Sequence, residues 1–313
     1  MRRRSLLKSL AMSAGAGLIA LGNTEGASSE QPASAGRKSH IRQFIEAPDG
    51  TNLFFRDWGS GRILVFAAPW GLNSAWWEYQ IADLAGRGLR CIGFDRRGHG
   101  RSDEPSHGYE FDTLADDLAA VVEQLDLRNV TLVGQSLGCG EIVRYLSRHG
   151  SNRVARVVLV STITPFVLKT DDNPDGVDRV TLDGVRNALS KDRAGPIFAA
   201  APAFFGAPKN SVSQEIMNWW ARMMVDGCSL KAMLDLQRMF TETDFRSELR
   251  RISVPTLLLH GDNDTSTPIE TTARKTASLI PGCRLKVYEG AAHGLPITHA
   301  AQLNGDLVEF TAS

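Results

Sequence analysis

The sequence predicts an α/β fold in which helices cover both faces of a mostly parallel sheet. From about residue 41 onwards, short apolar runs typical of strands alternate with helical patterns. One of these runs, Ile63–Ala67, is apolar throughout, as expected of a strand that is buried on both faces. The chain has 313 residues, of which 42% are hydrophobic and 22% are charged. These values suit a single globular domain with a large core.

Eight strands are expected, the first two of which form a hairpin around the turn Pro48–Gly50. The predicted strands are Ile41–Ile45, Asn52–Trp58, Ile63–Ala67, Arg90–Phe94, Val130–Val133, Val154–Val160, Thr256–His260 and Arg284–Tyr288. Helices are predicted over Ala75–Arg87, Phe111–Leu125, Ser136–His149, Thr271–Leu279 and Ala300–Thr311.

One long segment interrupts the alternation. Between about residues 165 and 250 no strand is predicted, and the pattern is that of several helices. Because ligands bind at the carboxyl edge of open α/β sheets, we interpret this segment as a helical lid inserted over that edge. Most of its methionines and tryptophans are expected to form the core of the lid, and a few to face the substrate. These residues are Met217, Trp219, Trp220, Met223, Met224, Met233 and Met239.

A Gly-x-Ser-x-Gly motif follows one predicted strand directly. Gly134–Gly138 comes without a gap after Val130–Val133 and opens a helix, with Ser136 at its centre. A serine at such a sharp turn adopts strained backbone angles, and its neighbours two positions away must be small. The same glycines fit a nucleotide-binding loop poorly, because their order and the expected ribose-binding acid do not match. The motif therefore predicts Ser136 as a nucleophile on the α/β-hydrolase fold.

A serine nucleophile needs a histidine base that is oriented by an acid, and in this fold the order along the chain is serine, acid, histidine. Two later loops supply these groups, each after a predicted strand. One contains Asp262 and Asp264, and the other contains His293 between small residues. His293 is the predicted base. The order alone allows either aspartate as the acid, and the other one would then form the turn.

The first 35 residues resemble a twin-arginine export signal. The basic segment Arg2–Lys8 precedes a weakly apolar run, Leu10–Gly22, which is too short for a stable membrane anchor. Cleavage is expected after Ala35, with Ala27 as the alternative site. This interpretation leaves 36–313 as the α/β-hydrolase domain in the periplasm or outside the cell. The alternative is a disordered basic tail.

The net charge and the motifs of the sequence indicate which partners and cofactors to expect, and the cysteine positions indicate whether disulfides form. Lys+Arg and Asp+Glu number 35 each, so charge gives no reason to expect nucleic acid or an anionic membrane as a partner. The sequence contains no metal-spaced Cys/His cluster, haem-attachment motif, or flavin or nicotinamide loop, so no cofactor is expected. Free, buried thiols are favoured over disulfides for the four cysteines. These are Cys91, Cys139, Cys228 and Cys283.

Nine short segments, spread over nearly the whole chain after residue 41, together resemble the motifs of one known family. They are Phe55–Gly61, Trp77–Gln80, Phe94–Asp103, Thr131–Gly134, Glu242–Arg246, Val254–Thr256, His260–Asp262, His293–Gly294 and Thr298–Ala300. In these segments the chain resembles the cofactor-free (non-haem) haloperoxidase, aryl esterase and perhydrolase branch of the α/β hydrolases. The resemblance implies Asp264 as the acid. It also implies the backbone N–H groups of Trp70 and Leu137 as the oxyanion hole.

The sequence departs from the family beside Trp70. Ala68-Pro69 stands where the family usually has His-Gly, and proline restricts both its own backbone and that of the residue before it. The Trp70 N–H is retained, but its direction is expected to change. Cys139 also replaces a family glycine behind the nucleophile. The arginine-rich stretch Asp95–Asp103 is interpreted as structural, ordering a loop beside the site.

The expected activity is transfer of an acyl group from a small apolar ester or carboxylic acid through Ser136 to water. The resemblance implies that hydrogen peroxide can replace water and form a peracid. Two alternatives remain open. One is a related hydrolase acting on another bond, such as a lactone, and the other is an exported binding protein that kept the fold without catalysis.

Overall fold

In the computed structural model, which describes residues 43–312, eight strands form one sheet. They are β1 (Phe44–Glu46), β2 (Asn52–Gly59), β3 (Arg62–Ala67), β4 (Leu89–Phe94), β5 (Val130–Gln135), β6 (Val154–Val160), β7 (Thr256–Gly261) and β8 (Arg284–Tyr288). The order across the sheet is β1-β2-β4-β3-β5-β6-β7-β8. β2 runs antiparallel to β1 and β4, and the remaining neighbours are parallel. The predicted mostly parallel, eight-stranded sheet is confirmed.

The helices follow the strands along the chain. They are α1 (Glu78–Gly86), α2 (Phe111–Gln124), α3 (Leu137–His149), α4 (Arg179–Lys191), α5 (Ala194–Phe205), α6 (Gln214–Gly227), α7 (Leu230–Glu242), α8 (Arg246–Leu249), α9 (Ala273–Leu279), α10 (Leu295–Thr298) and α11 (Ala300–Ala312). The predicted helix from Ala75 begins instead with a 3₁₀ turn, Ser74–Trp77. The side chain of Asn73 starts this turn by accepting the Ala75 N–H at 3.0 Å.

The core lies on both sides of the sheet. Every residue of β5 and β7 is buried, and successive side chains of a strand point to opposite faces. Helices therefore cover both faces at the centre of the sheet, as the apolar strands predict. β3, β5, β7 and β8 are parallel, so the loops that follow them meet at the same edge. All the predicted site residues follow these four strands.

Between β6 and β7, the described chain adds five helices, α4–α8, and no strand of the sheet. Within this segment α5 packs against α6, and α4 packs against α7. Ser213 and Ser229 begin α6 and α7, because each side chain accepts an N–H of the first turn. In residues 43–312, no helix is both long enough and apolar enough to cross a membrane. The expected export signal lies outside the described residues.

Candidate active site

Ser136 lies at the sharp turn between β5 and α3. Its backbone φ is 53° and its ψ is −114°, a left-handed conformation that costs energy for any residue with a side chain. α3 therefore begins at Leu137, one residue later than the sequence predicts. Both flanking glycines are required. A Cβ on Gly134 would lie 2.6 Å from the Gly138 carbonyl oxygen, and one on Gly138 would lie 2.5 Å from the Ala67 carbonyl oxygen.

The structure places Asp264, and not Asp262, against His293. Asp264 follows β7 and His293 follows β8; each is only 4% exposed. His293 Nδ1 lies 2.7 Å from Asp264 Oδ2, which is hydrogen-bonding distance. Asp262 is exposed, and its Oδ1 accepts the Gly290 N–H at 2.6 Å. Asp262 therefore orders the turn that leads to His293.

The Asp264 carboxylate is surrounded by donors. Its Oδ1 accepts the N–H groups of Ser266 and Thr267, each at 2.9 Å, and its Oδ2 accepts the Thr267 hydroxyl at 3.0 Å. Burial opposes ionisation, but the charge and hydrogen bond of His293, together with these donors, lower the pKa of Asp264 below its usual value. Asp264 is therefore a buried anion held in one orientation.

A second histidine supports the same turn. His260, at the end of β7, is fully buried, and its Nε2 donates to the carbonyl oxygen of Thr267 at 2.7 Å. Burial lowers the pKa of His260, so the imidazole is neutral at neutral pH. The sequence marks His260 only as part of a family motif. Its contact with Thr267 is visible only in the folded chain.

Gln135, next to the serine, joins the serine and histidine loops, a role that the sequence does not reveal. Its side-chain Nε2 donates to the backbone carbonyl of His293 at 2.7 Å, and its Oε1 accepts the indole N–H of Trp76 at 2.6 Å. The ring of Phe204, at the end of α5, contacts the His293 imidazole edge to face, with ring centres 5.2 Å apart. The helical segment between β6 and β7 thus reaches the predicted base directly.

Ser136 and His293 border one cavity of about 400 Å³. No hydrogen bond joins their side chains within the described residues. Helices between β6 and β7 supply most of the walls, including Trp220 and Met224 from α6. Apart from Ser136, Ser266, Thr267 and His293, the lining is apolar, and none of the described lining residues is Asp, Glu, Lys or Arg.

A larger, more open cleft of about 700 Å³ lies elsewhere on the described domain. Its lining includes charged side chains such as Arg56, Asp95 and Arg222. None of the predicted site residues borders it. Size alone would favour this cleft, but the smaller cavity is the one that holds the serine and the histidine. We therefore take the smaller cavity as the candidate active site.

The predicted oxyanion donors come from the loop after β3 and from the first residue of α3. Leu137 begins α3, where the N–H groups of the first turn have no partner inside the helix. Trp70 lines the cavity and follows β3. Its indole N–H donates to the carbonyl oxygen of Met233, at a distance of 2.9 Å. Within residues 43–312, the backbone N–H groups of Trp70 and Leu137 make no hydrogen bond to the protein.

A buried ion pair fixes the unusual Ala68-Pro69 segment. Arg96 Nη2 donates to the Ala68 carbonyl oxygen at 2.8 Å and to Glu141 Oε2 at 2.6 Å, and both charged side chains are buried. Arg96 belongs to the arginine-rich stretch that the sequence assigns a structural role. The ion pair links the loop after β4 and helix α3 to the backbone that leads into Trp70.

The four cysteines are free; Cys91, Cys139 and Cys228 are buried, and Cys283 is partly buried. Cys139 packs behind Ser136, where its thiol donates to the Gly134 carbonyl oxygen at 3.2 Å. Burial raises the pKa of the Cys139 thiol to about 12, so it remains protonated at neutral pH. Residues 43–312 contain no cluster of three or more His, Cys, Asp or Glu that could hold a metal ion.

The sheet order and the arrangement of Ser136, Asp264 and His293 are those of the α/β hydrolases, and the comparisons with known proteins agree. A model of the α/β-hydrolase fold family matches residues 63–300. A non-haem haloperoxidase of Rhodococcus erythropolis is 42% identical over 279 residues, which cover 86% of this chain and 99% of that protein. The chain therefore belongs to the α/β-hydrolase family, in the branch of the non-haem haloperoxidases.

Two further relatives show the range of the branch. A bifunctional esterase/perhydrolase of Acinetobacter calcoaceticus is 37% identical, covering 86% of this chain and 99% of that protein. The crystal structure of a bromoperoxidase from Bacillus anthracis superimposes with a TM-score of 0.83 at 35% identity, covering 86% of this chain and 99% of the other. The chain is thus a hydrolase-fold enzyme of this branch.

Proposed function

We propose that the chain is a serine esterase that works through an acyl-enzyme on Ser136. The Nδ1–H of His293 is donated to Asp264, so Nε2 is the nitrogen available to take the Ser136 proton. Ser136 Oγ then attacks the ester carbonyl, and the alcohol leaves with the proton that His293 returns. Water then attacks the acyl carbon while His293 takes its proton, the bond from Ser136 Oγ to the acyl carbon breaks, and the serine regains the proton as the acid is released.

The N–H groups of Leu137 and Trp70 would bind the oxyanion of the tetrahedral intermediate. The Leu137 N–H also stands at the N-terminus of α3, a helix of 13 residues whose dipole favours negative charge there. A donor of this kind contributes about 3 kcal/mol to catalysis in other hydrolases. Arg96 determines the course of the chain into Trp70 by holding the Ala68 carbonyl.

The cavity favours a neutral, apolar substrate. The lining residues within 43–312 offer no Lys or Arg to a carboxylate and no Asp or Glu to an amine, and an uncompensated charge is costly to bury. A cavity of about 150 Å³ accommodates benzene, so the 400 Å³ found here can hold both the acyl and the alcohol parts of a small ester. We expect uncharged esters to react well and esters with a charged acyl chain to react poorly.

Hydrogen peroxide is proposed as a second acceptor of the acyl group. A peroxide oxygen would attack the acyl carbon while His293 takes its proton, and the bond from Ser136 Oγ to the acyl carbon would break. The products are a peracid and the free serine, so the enzyme undergoes no net redox change. The names of the relatives, a haloperoxidase and an esterase/perhydrolase, support this acceptor.

We also propose that the protein is exported and cleaved after Ala35, which would place it in the periplasm or outside the cell. The support comes from the sequence alone: the twin arginines in Arg2–Lys8, the short apolar run and the small residues before Ala35. A twin-arginine route would carry the chain across the membrane already folded.

The observation that carries the proposal is the buried Asp264–His293 pair beside Ser136 in an apolar cavity. Ser136→Ala should abolish hydrolysis of p-nitrophenyl butyrate. Ser266→Ala is the matched control, since that serine lines the same cavity and contacts Asp264 only through its backbone. The control should keep most of the wild-type rate. If Ser136→Ala hydrolysed the ester at the wild-type rate, the proposed function would be wrong.

A further inference from the structure

We propose that Thr267 is a positioning residue of this site, whose hydroxyl holds the Asp264 carboxylate in the orientation that receives His293. The inference rests on the proposed function. It concerns a side chain that neither the order of catalytic residues nor the family motifs single out. Thr267 follows the acid by three positions and is buried beside the cavity.

Thr267 supplies two of the four hydrogen bonds that residues 43–312 make to the Asp264 carboxylate. Its N–H binds Oδ1 at 2.9 Å, and its hydroxyl binds Oδ2 at 3.0 Å. The other two come from the Ser266 N–H and from His293 Nδ1. Each carboxylate oxygen therefore has two donors, and rotation about the side-chain bond would break all four contacts. Asp264 is locked in place largely by its own turn.

The hydroxyl of Thr267 has three oxygen or nitrogen neighbours, and the hydrogen-bonding pattern selects Asp264 as its acceptor. His293 Nδ1 lies 3.2 Å from the hydroxyl oxygen, but the proton on this nitrogen is donated to Asp264. The Ser161 carbonyl oxygen is at 3.5 Å, farther than Oδ2 at 3.0 Å. A carboxylate is also the stronger acceptor.

The Thr267 hydroxyl affects the charge of Asp264 as well as its orientation. A donor on Oδ2 stabilises the negative charge of the carboxylate. The carboxylate then attracts the proton on a protonated His293 less strongly. Among residues 43–312, the titratable groups that act on the Asp264 carboxylate are His293 and His260; the Nε2 of His260 is 3.6 Å from Asp264 Oδ2, and its imidazole is neutral. No Asp, Glu, Lys or Arg is among the described residues that line the cavity.

The test compares Thr267→Val with Thr267→Ser. Valine keeps the branched shape and removes the hydroxyl, whereas serine keeps the hydroxyl and removes the methyl group. The rate and pH dependence of p-nitrophenyl butyrate hydrolysis are measured for both variants and for the wild type. Because the lost hydrogen bond has a charged acceptor, kcat of Thr267→Val should fall roughly 10- to 150-fold. KM should stay within about twofold of the wild-type value, because the hydroxyl that is removed donates to Asp264 and not to the substrate.

The pH profile separates positioning from a general loss of structure. In Thr267→Val the acid limb of kcat/KM should move to higher pH, because a carboxylate that has lost a donor holds the His293 proton more strongly. Thr267→Ser should restore both the rate and the position of the limb. If Thr267→Val does not fold, Thr267→Ala removes the same hydroxyl with a smaller side chain and takes its place.

Three outcomes would overturn the inference: a valine variant with wild-type kcat and pH profile, equal losses in the valine and serine variants, or a change confined to KM. The parallel Ser136→Ala measurement distinguishes this failure from failure of the proposed function. Loss of activity in Ser136→Ala together with a wild-type Thr267→Val refutes only the role of Thr267. Activity retained in Ser136→Ala refutes the proposed function itself.

Discussion

Replacing Asp264 by asparagine should disable the enzyme by forcing His293 into the wrong tautomer. Asp264 Oδ1 accepts two backbone N–H groups, those of Ser266 and Thr267, at 2.9 Å each. In Asp264→Asn these two donors require the amide oxygen at that position. The amide NH₂ then occupies the site of Oδ2, facing His293 Nδ1 across 2.7 Å. Two donors cannot share a hydrogen bond, so the His293 proton must move to Nε2.

A histidine protonated on Nε2 cannot accept the Ser136 proton. The comparable change in a serine protease lowers kcat by about 10⁴-fold, which corresponds to about 5.4 kcal/mol. We expect a loss of this size in Asp264→Asn. Asp262→Asn is the matched control, because an amide oxygen can accept the Gly290 N–H as the carboxylate does. At this exposed position the stability should change by less than about 0.5 kcal/mol, and the rate should stay within about twofold.

The assay is kcat/KM for p-nitrophenyl butyrate at neutral pH, with circular dichroism and thermal unfolding to confirm that both variants are folded. The reasoning would be refuted if Asp262→Asn were the slower of the two. It would also be refuted if a folded Asp264→Asn retained a tenth or more of the wild-type rate.

Three further predictions test separate parts of the account. Gly138→Ala should lower both activity and thermal stability, because its Cβ would lie 2.5 Å from the Ala67 carbonyl oxygen; wild-type unfolding and rates would contradict this packing. Bromination of a dye with peroxide should proceed in acetate but not in carboxylate-free phosphate buffer, and should vanish in Ser136→Ala; equal rates in both buffers would exclude a peracid as the oxidant. Arg3→Lys combined with Arg4→Lys should trap the precursor in the cytoplasm, and an extracytoplasmic protein that begins at Met1 would contradict cleavage.

The sheet and the serine turn could be predicted because their signals are local. Mostly apolar runs predict where the strands lie. The glycines of Gly134–Gly138 predict a tight turn directly after a strand, because a side chain at either glycine would collide with the backbone. The sequence places the start of α3 one residue early, since a helical pattern does not reveal the left-handed φ of Ser136. It also does not reveal the 3₁₀ turn before α1, because the apolar spacing of Ser74–Trp77 is compatible with either kind of helix.

The contacts around the acid could not be predicted in the same way. Asp262 and Asp264 lie two residues apart in one loop, so the residues alone leave the choice between them open, and the family resemblance favours Asp264. Only the fold shows that Asp264 is buried against His293 while Asp262 is exposed. Gln135 is missed for the same reason, because its partner His293 is 158 residues away in the sequence.

The central claim is that Ser136 carries the acyl group, and covalent labelling tests it most directly. Diethyl p-nitrophenyl phosphate phosphorylates an activated serine and releases one p-nitrophenolate for each site. We predict one equivalent released per active molecule, loss of esterase activity in proportion, and a diethylphosphoryl adduct on Ser136 located by peptide mass spectrometry. Complete inactivation with Ser136 unmodified, or full activity with Ser136 labelled, would contradict the claim.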